Sequence, residues 1–386
     1  MQEIRAGPPA SMTARRSGLA GLLLAVALLV FGTNLQGIVL PILGHERGAG
    51  MLAIGLFSSG WSAGFVIACL SVGQVLGRIG HRRAFLSLGL ASAGASALLA
   101  VFHGEIGWIA LRVAIGFCYG GLAAIIEGWL VARAGSGSAF ALYMVVNLLA
   151  SLMGTLSLDA IGTDGAAPFL VPAGCIALSV LAVSVGRIPA PPTPAPFRPR
   201  LWLLMRRSPI GALGCVVAGL VTGTIGGLAP VFGMMDMRDM GSDTLMLAAN
   251  SVGGAIATLP LGWLGERIGR RRVLAGTLAL GLLICMPFVL IAPLPNAALI
   301  GLMGAFGLVQ YPIYGLSVGL ANQDMPERSP VHVAGALVLL FGLGTIAGPL
   351  IGAALLGWGI PALFLAIAAA LLVLLLAIVP SRSNGP

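Results

Sequence analysis

The sequence predicts an all-α integral membrane protein of twelve transmembrane helices in two six-helix halves. Three observations carry this prediction. The 386-residue chain is 58% hydrophobic and only 9% charged, with a mean hydropathy of +1.03, whereas soluble domains are about one quarter charged. Apolar runs of bilayer-spanning length recur along its whole length. A glycine- and arginine-rich loop occurs twice, half a chain apart.

The first set of runs falls near residues 17–43, 51–75, 83–102, 106–131, 138–159 and 166–187. The second falls near 209–233, 243–265, 273–292, 296–321, 331–356 and 360–380. One helical span needs about 20 apolar residues, and lipid offers no water to unpaired backbone groups, so each run is a helix. Arg15-Arg16 before a leucine-rich stretch looks like a secretory signal. The stretch continues to Leu43, longer than a cleaved segment, and is read as span one. Between the sets, the segment from Ile188 to Arg200 holds six prolines and favours an extended spacer. Trp202 with Arg206 and Arg207 then marks an interfacial segment entering the seventh span. The chain therefore divides into an N-terminal bundle (1–187), a cytoplasmic Pro/Arg-rich linker (188–208) and a C-terminal bundle (209–386).

The 57 glycines are scattered through the apolar runs, as expected where small residues let helices approach closely in lipid. The five cysteines (Cys69, Cys118, Cys175, Cys215, Cys285) all lie inside such runs and offer no disulfide or zinc pattern. No metal or other cofactor is expected.

All 21 basic residues are arginines. With a cytoplasmic N-terminus, that side holds Arg5, Arg15, Arg16, Arg78, Arg82, Arg83, Arg133, Arg187, Arg198, Arg200, Arg206, Arg207, Arg267, Arg270, Arg271, Arg272, Arg328 and Arg382. The other side keeps only Arg47 and Arg238, and Arg112 lies within a span. This bias predicts both termini in the cytoplasm of a multi-pass protein in a bacterial inner membrane. The dispersal of arginine among short loops explains the pI near 10.3 and argues against a nucleic-acid face.

The repeated loop reads Gly73-Gln-Val-Leu-Gly77-Arg78-Ile-Gly80-His81-Arg82-Arg83 after span two and Gly262-Trp-Leu-Gly-Glu266-Arg267-Ile-Gly269-Arg270-Arg271 after span eight, an offset of 189 residues. Matched loops in two halves imply a duplicated bundle. They resemble the G-x-x-x-D-R-x-G-R-R signature of the major facilitator superfamily, and span number, halves and linker position extend the resemblance over the chain. The resemblance implies a cytoplasmic gate held by Gly73, Gly77, Arg78, Gly80, Arg82, Arg83, Gly262, Glu266, Arg267, Gly269, Arg270 and Arg271. The acidic position is Gly77 in the first copy and Glu266 in the second, and His81 stands for an arginine, so the first lock should be weaker. The segment from Ile125 through Glu127 and Trp129 to Arg133 is similar to the YcaD-like branch. So are Tyr311-Pro312-Ile-Tyr314 and Gly342 to Pro349, although Gly128 stands where that branch has serine.

Polar residues inside spans are functional candidates because they are costly there. Arg112 is expected near the outer end of span four, where the resemblance associates an arginine with proton movement or substrate; Tyr119, seven residues on, shares its face. Asn34, Tyr143, Asn147, Asn250, Gln310, Tyr311 and Tyr314 complete the expected cavity, each equally suited to bridging two helices. Glu127 lies about 22 Å along the helix from Arg112, at the cytoplasmic end, within reach of Arg78 or Arg82 for a gate salt bridge. With no carboxylate at mid-depth, the coupling mode stays open.

An enzyme would need convergent catalytic groups, and His45, His81, His103 and His332 all sit at loops or span ends. The reading is a monomeric secondary active transporter that moves a small molecule, amphipathic or anionic, by alternating access, with a coupling proton as a further candidate partner. A non-transporting sensor or assembly protein on the same fold, and a drug or metabolite efflux antiporter, are the alternatives.

Overall fold

The computed structural model describes residues 12–102, 104–133, 137–185, 201–236, 242–291, 293–325 and 330–378. The proline-rich spacer and the arginines at 5, 187, 198, 200, 238, 328 and 382 lie outside them. The described residues form fourteen helices. These are α1 (Met12–Glu46), α2 (Met51–Ile79), α3 (His81–Leu98), α4 (Glu105–Arg133), α5 (Gly137–Leu156), α6 (Leu158–Ile161) and α7 (Ala167–Val185). After the spacer come α8 (Leu201–Arg207), α9 (Pro209–Asp236), α10 (Ser242–Ile268), α11 (Arg270–Leu290), α12 (Asn296–Asp324), α13 (Pro330–Leu356) and α14 (Ile360–Ile378).

Twelve of these helices match the predicted spans, α6 being a single turn at the end of the fifth and α8 the interfacial segment before the seventh. Eleven are long and apolar enough to cross a membrane. The other is α3, whose 18 residues begin His81-Arg82-Arg83 and are rich in Ser, Gly and Ala, which lowers its hydropathy. Prolines inside α1, α7 and α9 to α13 are accommodated as in other membrane helices, where neighbouring groups satisfy the freed backbone carbonyls.

Within the first set, α1 packs on α5 and α7, α2 on α4, and α3 on α4 and α7. In the second, α9 packs on α12 and α13, α10 on α12, and α11 on α12 and α14. The tightest crossings repeat with the loop. A Cβ on Gly64 or Gly116 would run into the backbone of Val113 or Trp61 between α2 and α4. One on Gly253 or Gly307 would do the same at Gly304 or Asn250 between α10 and α12. Gly64 and Gly253 are again 189 residues apart.

The bundle has two distinct ends. At one, Arg82 Nη2 donates to Ser184 O at 2.8 Å, Ser208 Oγ donates to Asp324 at 2.6 Å, and Arg270 Nη1 donates to Gly319 O at 2.6 Å. This basic end gathers the α2–α3 and α10–α11 turns, each closed by a glycine in the left-handed region: Gly80 at φ 76° and Gly269 at φ 98°. At the opposite end, Arg47 lies over the Trp108 ring at 5.1 Å and Thr163 donates to Glu46 at 3.3 Å.

Candidate functional site

The two helix sets meet where α2 packs on α13 and α9, α1 on α9, and α5 on α10. Two hydrogen bonds between the sets lie toward the opposite end. Ser59 Oγ donates to Ile346 O at 2.7 Å, and Thr244 Oγ1 donates to Asp159 Oδ1 at 2.7 Å. An added Cβ on Gly55 would come within 2.6 Å of Pro349 O, and one on Gly227 within 2.8 Å of Ser58 Cβ. Helices come this close only because the side chains there are small.

Behind this closure lies a cavity of about 350 Å³ formed by α1, α2, α4, α5, α9 and α13. Four predicted cavity residues line it: Asn34, Arg112, Tyr119 and Asn147. Asn34 Nδ2 donates to Ser151 Oγ at 2.7 Å, and its Oδ1 accepts from Thr155 Oγ1 at 3.0 Å. Arg112 is buried at 5% exposure. Its Nε donates to Phe57 O at 3.1 Å and its Nη1 to Gln36 Oε1 at 3.3 Å. The guanidinium thus ties α4 to α1 and α2 near the closed end. Tyr119 packs on Trp61 with ring centroids 5.3 Å apart, and Trp61 stacks on Phe65 at 5.7 Å.

Five predicted cavity residues lie elsewhere. Asn250 and Gln310 are buried between α10 and α12, where Asn250 Nδ2 donates to Met303 O at 3.1 Å and to Gln310 Oε1 at 3.4 Å. They bridge two helices and do not line the cavity. Tyr311 has its ring over Gly254, on the α10 side of α12, and is 41% exposed. Tyr143 is buried in the first set. Tyr314 packs on Phe341, which does line the cavity, at 4.8 Å.

The structure gives Glu127 a different partner from the expected gate arginines. Tyr143 donates its hydroxyl hydrogen bond to the Glu127 carboxylate and accepts one from Asn147. Arg270 forms an ion pair with Glu266 at 3.6 Å. The reason is local: α5 brings Tyr143 against α4, while Arg82 is spent on the Ser184 carbonyl of α7. Glu127 is exposed.

Of the predicted gate residues, Gly77, Arg78, Arg82, Arg83, Gly262, Glu266, Arg267 and Arg271 are exposed at the basic end. Gly73 has open space around it, and Arg267 lies over the Trp263 ring at 3.9 Å. Arg270 lies flat across Gly319.

Sequence reasoning missed Gln36, the Arg112 partner, and the cavity residues Trp61, Ser151 and Thr345. Gln36 had a usable signal, being an amide inside an apolar span two residues from Asn34.

Eleven helices long and apolar enough to cross a membrane, in two sets around a central cavity, make this a multi-pass membrane protein. The Major Facilitator Superfamily family model matches residues 22–349 and 242–385, and the chain belongs to that family, which comprises transporters and not enzymes. It is 25% identical over 373 residues to an uncharacterized MFS-type transporter of Enterobacter sp. (strain 638), covering 95% of this chain and 94% of the relative. It is 24% identical, with the same coverage, to the uncharacterized MFS-type transporter YcaD of Salmonella typhimurium (strain LT2). Among solved structures it is similar to the nucleoside transporter NupG, with a TM-score of 0.78 at 14% identity, covering 97% of this chain and all of that one. It is also similar to a bacterial homolog of the lysosomal transporter Spinster, with a TM-score of 0.73 at 15% identity, covering 96% and 95% of the two chains. At these identities the structural likeness concerns the fold.

Proposed function

We propose that the chain is a secondary transporter that moves a small molecule across the bacterial inner membrane by alternating access. Residues 1–187 and 209–386 act as the two rocking units and residues 188–208 as their tether. One observation carries this reading: a cavity lined by helices of both sets, partly with polar side chains, and closed at one end by hydroxyl hydrogen bonds and close glycine contacts. The arginine bias assigns the basic end, and with it both termini, to the cytoplasm. The α2–α3 and α10–α11 turns would then form the gate that closes when the opposite end opens. The protein works as a monomer, since both walls of the cavity come from one chain.

The test is a cross-link. In a background without the five native cysteines, Ser58→Cys with Gly227→Cys places Cβ atoms 2.8 Å apart. A disulfide needs about 3.5–4.5 Å, a small parting of α2 and α9. Spin labels at Ile79→Cys and Ile268→Cys report the basic end, in a protein that keeps Ser58 and Gly227 as the reference before oxidation and, labelled after the cross-link, in the oxidised one. Alternation predicts two distance populations at 79/268 before oxidation and one after it. Proteoliposomes screened with labelled metabolites, with and without a pH gradient, should show saturable movement that oxidation abolishes and reduction restores. A single unchanged distance, with no compound moved, would favour the sensor reading. Reporter fusions after residues 80 and 268 should both be cytoplasmic.

A further inference from the structure

We propose that the cavity takes a compact organic monocarboxylate, with its carboxylate on Arg112 and its apolar body against Trp61, Tyr119 and Phe341. The proposal rests on the transporter reading and names its substrate class. Three observations carry it.

First, the cavity carries charge of one sign. Among the described residues that line it, Arg112 is the one charged group, and the other polar groups are hydroxyls and amides such as Ser58, Ser62 and Asn34. The second helix set adds threonines, glycines, Phe341 and Pro349 to the wall and no charge. A cationic ligand would meet a like charge with nothing to offset it, and a zwitterion would leave its ammonium without a partner. A single carboxylate matches the single guanidinium.

Second, that guanidinium is buried without a counter-ion. Arg112 is 5% exposed, and its bonds from Nε and Nη1 go to the Phe57 carbonyl and the Gln36 amide oxygen, both neutral. Its remaining N–H groups, the Nη2 pair among them, are left for a ligand. Tying α4 to α1 and α2 needs no charge, and a neutral amide would do so at far lower desolvation cost. A bound carboxylate accounts for the charge.

Third, the unmet hydrogen-bonding capacity around Arg112 is donor capacity. Trp61 Nε1 and Gln36 Nε2 are buried without a partner. Gln36 is 1% exposed, and its amide cannot be reversed, because its NH₂ would then face the Arg112 Nη1 hydrogens, donor against donor. Trp61 lines the cavity itself, and Gln36 is bonded to the guanidinium that does. A carboxylate is an acceptor with several lone-pair sites and the complementary charge. The Trp61 and Tyr119 rings, with centroids 5.3 Å apart, and Phe341 on the facing wall offer surface to an apolar body. A cavity of about 350 Å³ is at the small end of the range for ligand pockets, which keeps that body compact.

The experiment titrates purified full-length protein in a calorimeter with indoleacetate, indoleacetamide and tryptamine, which share one apolar body and differ in charge. Binding requires no alternation, so the outcome is independent of the cross-link above. Saturable binding of indoleacetate is expected, with the amide and the amine about tenfold or more weaker, the scale for losing a hydrogen-bonded charge partner. Arg112→Gln should erase the preference for the carboxylate. Because that variant also loses the tie between helices, Gln36→Glu is the second test. It gives Arg112 an internal counter-ion of the same size, so the melting temperature should hold or rise while indoleacetate binding falls about tenfold or more. The proposal is overturned if the amide or tryptamine binds as well as indoleacetate, if none of the three binds, or if Gln36→Glu binds indoleacetate like the parent. A melting temperature that falls in Gln36→Glu would deny the uncompensated charge on which the proposal stands. Inorganic phosphate that displaces indoleacetate at equal concentration would overturn the carboxylate assignment and make this a phosphate site.

Discussion

Gly55→Ala should open the closed end. Gly55 sits on α2 against α13, and a Cβ there would stand 2.6 Å from Pro349 O and 2.8 Å from Ala353 Cβ. Ordinary contact begins at 3.4 Å, so α2 and α13 must part by 3.4 − 2.6 = 0.8 Å. Neither obstacle can swing aside, one being a backbone carbonyl and the other a methyl with no rotamers. Overpacking of this kind costs about 1–3 kcal/mol. The cost falls only on the state in which α2 and α13 touch, so the substitution moves the two-state equilibrium by about 5- to 150-fold toward opening. Spin labels at Ala49→Cys and Trp358→Cys, on the α1–α2 and α13–α14 turns, read the separation of the two sets at that end. The long-distance population should grow with Gly55→Ala. It should stay at the parent level with Gly174→Ala, whose new methyl meets nothing within 4 Å. If Gly55→Ala leaves both the distances and the melting temperature unchanged, the two helices do not pack as closely as described, and the account of closure by small residues fails.

Gly116→Val and Gly307→Val, at the two duplicated crossings, should each lower the melting temperature by several degrees; exposure of buried Cys118, Cys215 and Cys285 to a thiol-reactive dye gives the readout. Arg112→Lys keeps the charge and loses the two-point grip on Phe57 and Gln36, so the melting temperature should fall. Glu266→Gln removes an exposed i,i+4 pair worth about 0.3–0.5 kcal/mol and should barely change melting. The gate role instead predicts a changed population at the 79/268 label pair.

The fold was readable because lipid imposes a rule that composition obeys: each span must be a helix of bilayer length, and arginine reports its orientation. The duplication was readable from the loop alone, and Gly64 and Gly253 extend the same offset into the bundle. The cavity was legible only in part. Asn34, Arg112, Tyr119 and Asn147 line it, whereas Asn250 and Gln310 bridge α10 and α12. Polarity within a span says that a partner exists, and the azimuth of each helix decides whether that partner is a neighbouring helix or the cavity. Periodicity cannot supply the azimuth when both faces of a helix are apolar. The same limit misled the reading of Glu127, whose partner comes from α5, across a contact that no local spacing encodes.

The closure also has a chemical logic, which a last substitution tests. A gate that must open in each cycle can be only a few kcal/mol more stable closed than open. Among the described residues, the contacts that join the two sets there include hydroxyl hydrogen bonds and glycine approaches but no ion pair. Breaking a buried ion pair leaves charges without partners, whereas a hydroxyl released from Asp159 finds water, and so does the exposed carboxylate. Thr244→Ala removes that bond at a cost of about 1 kcal/mol, roughly a fivefold shift toward opening at the 49/358 label pair. Thr244 and Gly55 lie on different helix contacts, α10 with α6 and α2 with α13, so the free-energy effects should add in the double variant if both report one closed-to-open step. If Thr244→Ala opens the end and cancels the effect of Gly55→Ala, the two contacts belong to different motions, and rocking of two rigid units is the wrong description.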